Sequence, residues 1–155
     1  KVSGPFRKTG PNTFVLQLEK GLEAAPKNYV LTFVAKHPGD AAYKPAVQQA
    51  QMIIPAKIEE GDAQTILFPN ISNQKVAKKC ITLKATSTAN VPVSYFVLEG
   101  PAEVEGAELK FTKIPPKATF PVKVTVVAWQ YGLNGVRKPK TAEPVSRTFY
   151  IERKK

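Results

Sequence analysis

The sequence predicts an all-β chain that contains two tandem β-sandwich units, the first of which is incomplete. Three observations lead to this prediction: apolar and polar residues alternate along several segments, turn residues interrupt the chain often, and one stretch of sequence recurs after about 96 residues. The 155 residues include 14 prolines and 9 glycines, a frequency that disfavours long helices. The chain has no continuous apolar run long enough for a membrane-spanning helix, so we expect no membrane insertion.

Period-two alternation identifies the strands. Between residues 122 and 128, for example, Val122, Val124, Val126 and Ala128 fall on one side of an extended chain, which is typical of a strand with one face in a core. The best candidate for a helix, residues 46–52, is short and runs into Ile53-Ile54-Pro55, so loop and strand are predicted there instead. Strands are predicted over residues 14–18, 29–35, 81–85 and 122–128.

An internal repeat defines the units. Residues 2–5 match 98–101, residues 14–18 match 109–113, residues 33–35 match 126–128, residues 43–46 match 137–140, and residues 51–54 match 148–151. The repeat predicts the back half of a first unit over residues 1–55 and a complete second unit over 56–155. Nothing in the first unit corresponds to residues 64–93, so its strand edges and one apolar face need cover from upstream sequence, from the second unit or from another chain.

Several segments resemble the immunoglobulin-like repeats of bacterial secreted and surface multidomain proteins. Residues 64–69 (QTILFP) and 81–87 (ITLKATS) are similar to the opening of such a repeat, residues 91–95 (VPVSY) and 99–102 (EGPA) to its middle, and residues 39–46 (GDAAYKPA) to its closing turn. The link over residues 114–121 and the loop over 129–135 are longer than in the simple repeat. The resemblance implies tandem immunoglobulin-like β-sandwiches.

The same resemblance implies a function class and a location. Such modules act as non-catalytic spacers or interaction domains, which suggests an exported bacterial protein that is extracellular, on the cell surface or periplasmic. A role ancillary to a polysaccharide-acting enzyme fits this setting. The expected partners are other domains of the parent protein or a neighbouring chain, and the export signal is expected to lie outside these 155 residues. A structural subunit of a surface fibre, completed by β-strand addition from a neighbour, is a further alternative.

The chain is strongly basic, with a net charge of +11. Such a surface attracts polyanions, but the favoured interpretation is a lysine-rich surface that keeps the protein soluble. No block of five like charges occurs, so a nucleic-acid partner is not expected.

The residues that carry chemistry do not form a recognisable catalytic set. His37 and Cys80 are the single histidine and the single cysteine, which excludes an internal disulfide. They could form a nucleophile pair in principle, but they fall in different units and no third residue is suggested to orient them. The acidic clusters at residues 59–62 and 99–108 sit at turn-like positions and are interpreted as surface charge. We therefore expect no enzyme activity, no metal and no cofactor.

Aromatic residues offer a candidate binding site. If the valines of 122–128 face the core, Trp129 and Tyr131 lie on the opposite face, where exposed rings could stack on sugars. Neighbouring cations would suit carboxylated or sulfated groups, so the second functional hypothesis is a binding module for anionic polysaccharide. The alternative is that Trp129 covers the core edge or packs on the first unit. The predicted ligand-binding residues are Trp129, Tyr131, Lys123, Arg137, Lys138 and Lys140.

Overall fold

The computed structural model describes residues 6–16, 27–133, 135 and 137–153. Within them the chain forms thirteen strands and no helix, so no helix there has the length and apolarity to cross a membrane. The chain divides into two compact units, Lys1–Lys57 (unit 1) and Ile58–Lys155 (unit 2). The predicted all-β class is confirmed. The predicted match at residues 2–5, and residues 17–18 of the first predicted strand, lie outside the described residues.

The described residues of unit 1 form two antiparallel hairpins. In the first, β1 (Phe6–Lys8) pairs with β2 (Phe14–Leu16), and in the second, β3 (Asn28–His37) pairs with β4 (Ala46–Pro55) along all ten residues. The segment that sequence reasoning assigned to loop and strand rather than helix is therefore a strand. Phe14 and Phe33 meet edge to face with ring centroids 5.5 Å apart, which defines the side of the β3–β4 hairpin that faces β2.

Unit 2 contains nine strands in two sheets and one short pair. One sheet has the order β10-β11-β7, the other has the order β6-β13-β12-β9, and β5 pairs with β8. The strands are β5 (Ile66–Leu67), β6 (Gln74–Lys75), β7 (Cys80–Thr82), β8 (Thr86–Ser87), β9 (Ser94–Glu99), β10 (Ala102–Glu105), β11 (Glu108–Phe111), β12 (Val122–Trp129) and β13 (Val145–Glu152).

This strand order is that of an immunoglobulin-like sandwich. When β6 and β8 are left out, the unit has seven strands that begin with β5; one sheet joins the second, fifth and fourth of them, and the other joins the third, sixth and seventh. All the long pairs are antiparallel, while β6 adds to β13 in parallel. The immunoglobulin-like sandwich is thus confirmed from the pairing itself, whereas membership of the bacterial repeats stays a prediction.

The core of unit 2 lies between its two sheets. Phe149 of β13 meets Phe111 of β11 across the sandwich, with ring centroids 6.0 Å apart. The alternation predicted for β12 holds on the core side, where Val124, Val126 and Ala128 are fully buried and Val122 is partly buried. The buried core comprises Ile66, Phe68, Leu83, Ala102, Leu109, Val124, Val126, Ala128, Ala142, Phe149 and Ile151.

The Gly100-Pro101 turn between β9 and β10 needs its glycine. Gly100 has a φ of +106°, and a Cβ atom there would lie 2.5 Å from the carbonyl oxygen of Lys123. A side chain at this position would therefore both strain the backbone and collide with β12.

The strands of the two units follow the sequence repeat. Residues 33–35 lie in β3 and their matches lie in β12, while residues 51–54 lie in β4 and their matches lie in β13. In order and pairing, the two hairpins of unit 1 therefore correspond to the last four strands of unit 2. Common ancestry of the two units, with the boundary at residue 55, stays a prediction.

Candidate functional site

The stacking surface predicted around Trp129 is not exposed. Trp129 is only 6% exposed to solvent, and Thr125 and Val127 on the same side of β12 are buried as well. Both faces of β12 are buried from Val124 to Trp129. The expectation of an exposed ring is therefore wrong, and the burial of Trp129 supports the alternative in which it covers the core edge.

The other predicted ligand-binding residues do not converge on one surface. Lys123 lies six residues before Trp129, and because a strand rises about 3.3 Å per residue, their backbones are about 20 Å apart. The ammonium of Lys123 lies 2.9 Å from the carboxylate of Glu99, and this hydrogen bond raises the pKa of Lys123. Lys123 is thus engaged by an acidic neighbour at the far end of the strand.

The remaining four residues belong to one loop that is tied down through its backbone. The carbonyl of Tyr131 accepts a hydrogen bond from the Thr141 hydroxyl, and the carbonyl of Lys140 accepts one from the Gln64 side chain at 2.6 Å. Asp62 exchanges backbone hydrogen bonds with Lys138 and Lys140. Arg137 and Lys138 are exposed, whereas Tyr131 and Lys140 are half-buried. The loop offers two exposed cations without an exposed aromatic platform.

His37 and Cys80 each have local partners. His37 accepts a hydrogen bond at Nδ1 from the Gly39 N–H at 3.1 Å and lies 3.8 Å from the Asp40 carboxylate. Cys80 is half-buried, and a hydrogen bond with Glu108 raises the pKa of its thiol. A raised pKa keeps the thiol protonated, which is the opposite of what a nucleophile needs. In the part of the chain that the structure describes, no group of three acidic, histidine or cysteine residues is placed to hold a metal ion.

Unit 2 has an open crevice of about 220 Å³ beside β7, lined in part by Phe68, Ile81 and Leu83. The β5–β8 ladder ends there, because its next hydrogen-bonded pair would join Pro69 to Lys84 and proline has no N–H to donate. The chain then crosses to the other sheet and joins β13 as β6. The crevice therefore lies where the chain leaves the β5–β8 pair on its way to β6.

One apolar surface whose exposure has a structural cause lies on unit 1. We define the open face as the side of the β3–β4 hairpin that carries Leu31, Phe33 and Ala35 on β3 and Ala50 and Met52 on β4, the side on which Phe33 meets Phe14. Of these five residues only Leu31 is buried. The corresponding face of the β12–β13 pair is the core of unit 2.

Matched positions of the two units show how much cover the open face lacks. Met52 is 50% exposed, whereas Phe149, its match in the repeat, is 1% exposed. Ala35 is exposed, whereas its match Ala128 is 0% exposed. The repeat predicted an uncovered apolar face in unit 1, and its alignment of residues 51–54 with 148–151 places Met52 at a core position.

Comparisons with known proteins do not assign the chain to a family. No family model matches it, and no curated protein matches it. Human protocadherin-24 EC1-2 is a solved structure with some similarity (TM-score 0.43, 12% identity), and the match covers 100% of this chain and 81% of that chain. Mouse protocadherin-24 EC1-3 is another (TM-score 0.40, 16% identity), and the match covers 95% of this chain and 53% of that chain. A third is the protocadherin gamma B2 extracellular cadherin domains 3–6 (TM-score 0.40, 12% identity, 91% and 37%). The fold assignment above depends on the strand pairing and not on these similarities.

Proposed function

We propose that this chain is a non-catalytic interaction module, in which unit 2 is a closed sandwich that acts as a spacer and unit 1 joins a neighbouring polypeptide. One observation carries the proposal: the open face of unit 1 leaves Met52 half in water where unit 2 buries Phe149 completely. A two-stranded hairpin is marginal alone in water, so the apolar side of β3–β4 gains most from a partner that covers it.

The partner is another domain of the parent protein or a neighbouring chain. Resemblance to bacterial immunoglobulin-like repeats supports an exported setting, at the cell surface, outside the cell or in the periplasm, and a role beside a polysaccharide-acting enzyme. A module that itself binds anionic polysaccharide is less well supported, because Trp129 is buried and Lys123 is paired with Glu99.

The test measures whether neighbouring sequence covers the open face. We expect the 155-residue chain to enhance the fluorescence of a dye that binds exposed apolar surface, and to enhance it less once the sequence adjoining it in its gene is restored. The unfolding temperature of unit 1 should rise at the same time, by about 4–8 °C for each kcal/mol that the added contacts contribute.

Two variants of the 155-residue chain serve as controls. Met52→Gln changes the open face and should lower the dye signal, whereas Leu67→Gln changes an exposed apolar residue of unit 2, 58% exposed, and should leave it nearly unchanged. The proposal fails if the 155-residue chain alone does not enhance the dye fluorescence, or if Met52→Gln does not lower that fluorescence.

A further inference from the structure

One edge of β3 carries backbone groups that no described strand pairs. The carbonyl of Lys27 accepts a hydrogen bond from the Ala56 N–H at 2.9 Å, and this sets the phase of the β3–β4 ladder. Bonded and non-bonded pairs alternate in an antiparallel ladder, so the odd-numbered residues of β3 bond to β4. Pro55 agrees with this phase, because it lies opposite Asn28 at a non-bonded pair, where a missing N–H costs nothing.

The even-numbered residues of β3 therefore direct their N–H and C=O groups to the opposite edge. Among residues 6–16 and 27–57, no strand pairs with that edge. We define the free edge as the even-numbered residues of β3 from 28 to 36. Its residues are Asn28, Val30, Thr32, Val34 and Lys36.

Unit 2 shows what occupies the same edge in a complete sandwich. There β9 pairs antiparallel with β12, from Thr125 to Trp129. Residues 33–35 match 126–128 in the repeat, so residues 125–129 of β12 correspond to residues 32–36 of β3. A strand equivalent to β9 would therefore pair with β3 over residues 32–36. A strand of about six residues, the length of β9, is enough to fill it.

Burial along β3 falls off where that strand is missing. Leu31 is 3% exposed, Phe33 is half-buried and Ala35 is exposed, while all three matching residues of β12 are 0% exposed. In unit 2 the partly buried Tyr95 and Val97 of β9 pack against the core beside these positions. The fall in burial along β3 therefore coincides with the residues that β9 would pair in unit 2, and no strand among residues 6–16 and 27–57 pairs with them.

We propose that an extended strand from polypeptide outside these 155 residues pairs antiparallel with β3 over residues 32–36. This inference rests on the proposed function and names its partner: a strand with apolar residues at alternate positions, as in β9, and with neutral or negative net charge. Unit 1 has eight lysines and arginines against three acidic residues, a net charge of +5, which opposes pairing between two copies of the same edge.

A labelled synthetic peptide with the sequence of residues 90–99 (NVPVSYFVLE) is the probe, and a scrambled peptide of the same composition is its control. We expect the first peptide to bind the full chain, as measured by fluorescence anisotropy, and the scrambled one to bind much more weakly. Backbone pairing and alternate side chains together give such strand addition its affinity and specificity.

Two proline substitutions locate the binding edge. Val34 and Gln49 lie opposite each other in the hairpin, and their N–H groups face opposite edges of it. Val34→Pro should weaken peptide binding about tenfold or more, because it removes a donor and blocks the free edge, whereas Gln49→Pro should change it by less than about twofold. Circular dichroism checks that both variants keep their strand content.

Hydrogen exchange on the unaltered chain gives a second readout that needs no substitution. Peptide binding should slow exchange over residues 30–36 and leave the outer edge of β4 unchanged. The inference is overturned if the peptide does not bind, or if Gln49→Pro abolishes binding and Val34→Pro does not. Either result leaves the proposed function to be decided by its own dye-binding test. Light scattering that shows a dimer of the chain with residues 30–36 protected before peptide is added also overturns it, in favour of a second copy.

Discussion

Phe149→Ala should lower the free energy of unfolding of unit 2 by about 3–5 kcal/mol, because it removes a large side chain from a closed core and leaves a cavity. Phe149 is 1% exposed and packs on Phe111 of the opposite sheet. The loss is measured by chemical denaturation of the full chain, with the transition of unit 2 followed separately from that of unit 1.

Met52→Ala is the matched change in unit 1. Because the Met52 side chain is already half in water, its truncation removes little buried surface, and we expect a cost below about 1 kcal/mol. A cost for Met52→Ala as large as that for Phe149→Ala would mean that the open face is covered in the isolated chain, and the contrast between the two units would be lost.

Trp129→Ala should also destabilise unit 2 by about 3–5 kcal/mol, since Trp129 is nearly fully buried at the end of β12. The same substitution should leave migration through gels that contain anionic polysaccharides unchanged relative to the unaltered chain, provided both are folded. Denaturation and affinity electrophoresis of the same preparation measure the two effects.

Lys138→Ala provides the comparison for Trp129→Ala. Lys138 is exposed, so its replacement should alter stability by less than about 0.5 kcal/mol. If Trp129→Ala instead kept full stability and abolished a retardation shown by the unaltered chain, the sugar-stacking site predicted from the sequence would be restored and the buried role rejected.

The strands were predictable because their alternation reflects a physical requirement of one buried face. The valines of β12 at positions 124 and 126 are core residues, as the alternation predicts. The error at Trp129 arose from extending the same alternation to the end of the strand. Residues 126–129 are all apolar (VVAW), and a continuous apolar run is typical of a strand buried on both faces, so the signal was present but was interpreted with the wrong period.

Other features depend on long-range pairing that composition does not reveal. Lys123 and Glu99 are distant in sequence, and they form an ion pair because β9 lies beside β12. The effect of Pro69 on the path from β5 to β6 depends on the register of β5 with β8, which the sequence alone does not show. The uncovered face of unit 1, in contrast, followed from the internal repeat alone, because the repeat showed which strands have no counterpart.

Amide hydrogen exchange of the full chain, resolved residue by residue by NMR, tests the central claim most directly: the core of unit 2 is covered on both sides, whereas the strands described in unit 1 leave its open face uncovered. The amides of Leu31, Phe33 and Ala35 in β3 are compared with those of the matching residues of β12. We predict that the β3 amides exchange at least about a hundredfold faster, because an uncovered hairpin opens locally at little cost. Equal protection of β3 and β12 in the isolated, monomeric chain would contradict this claim.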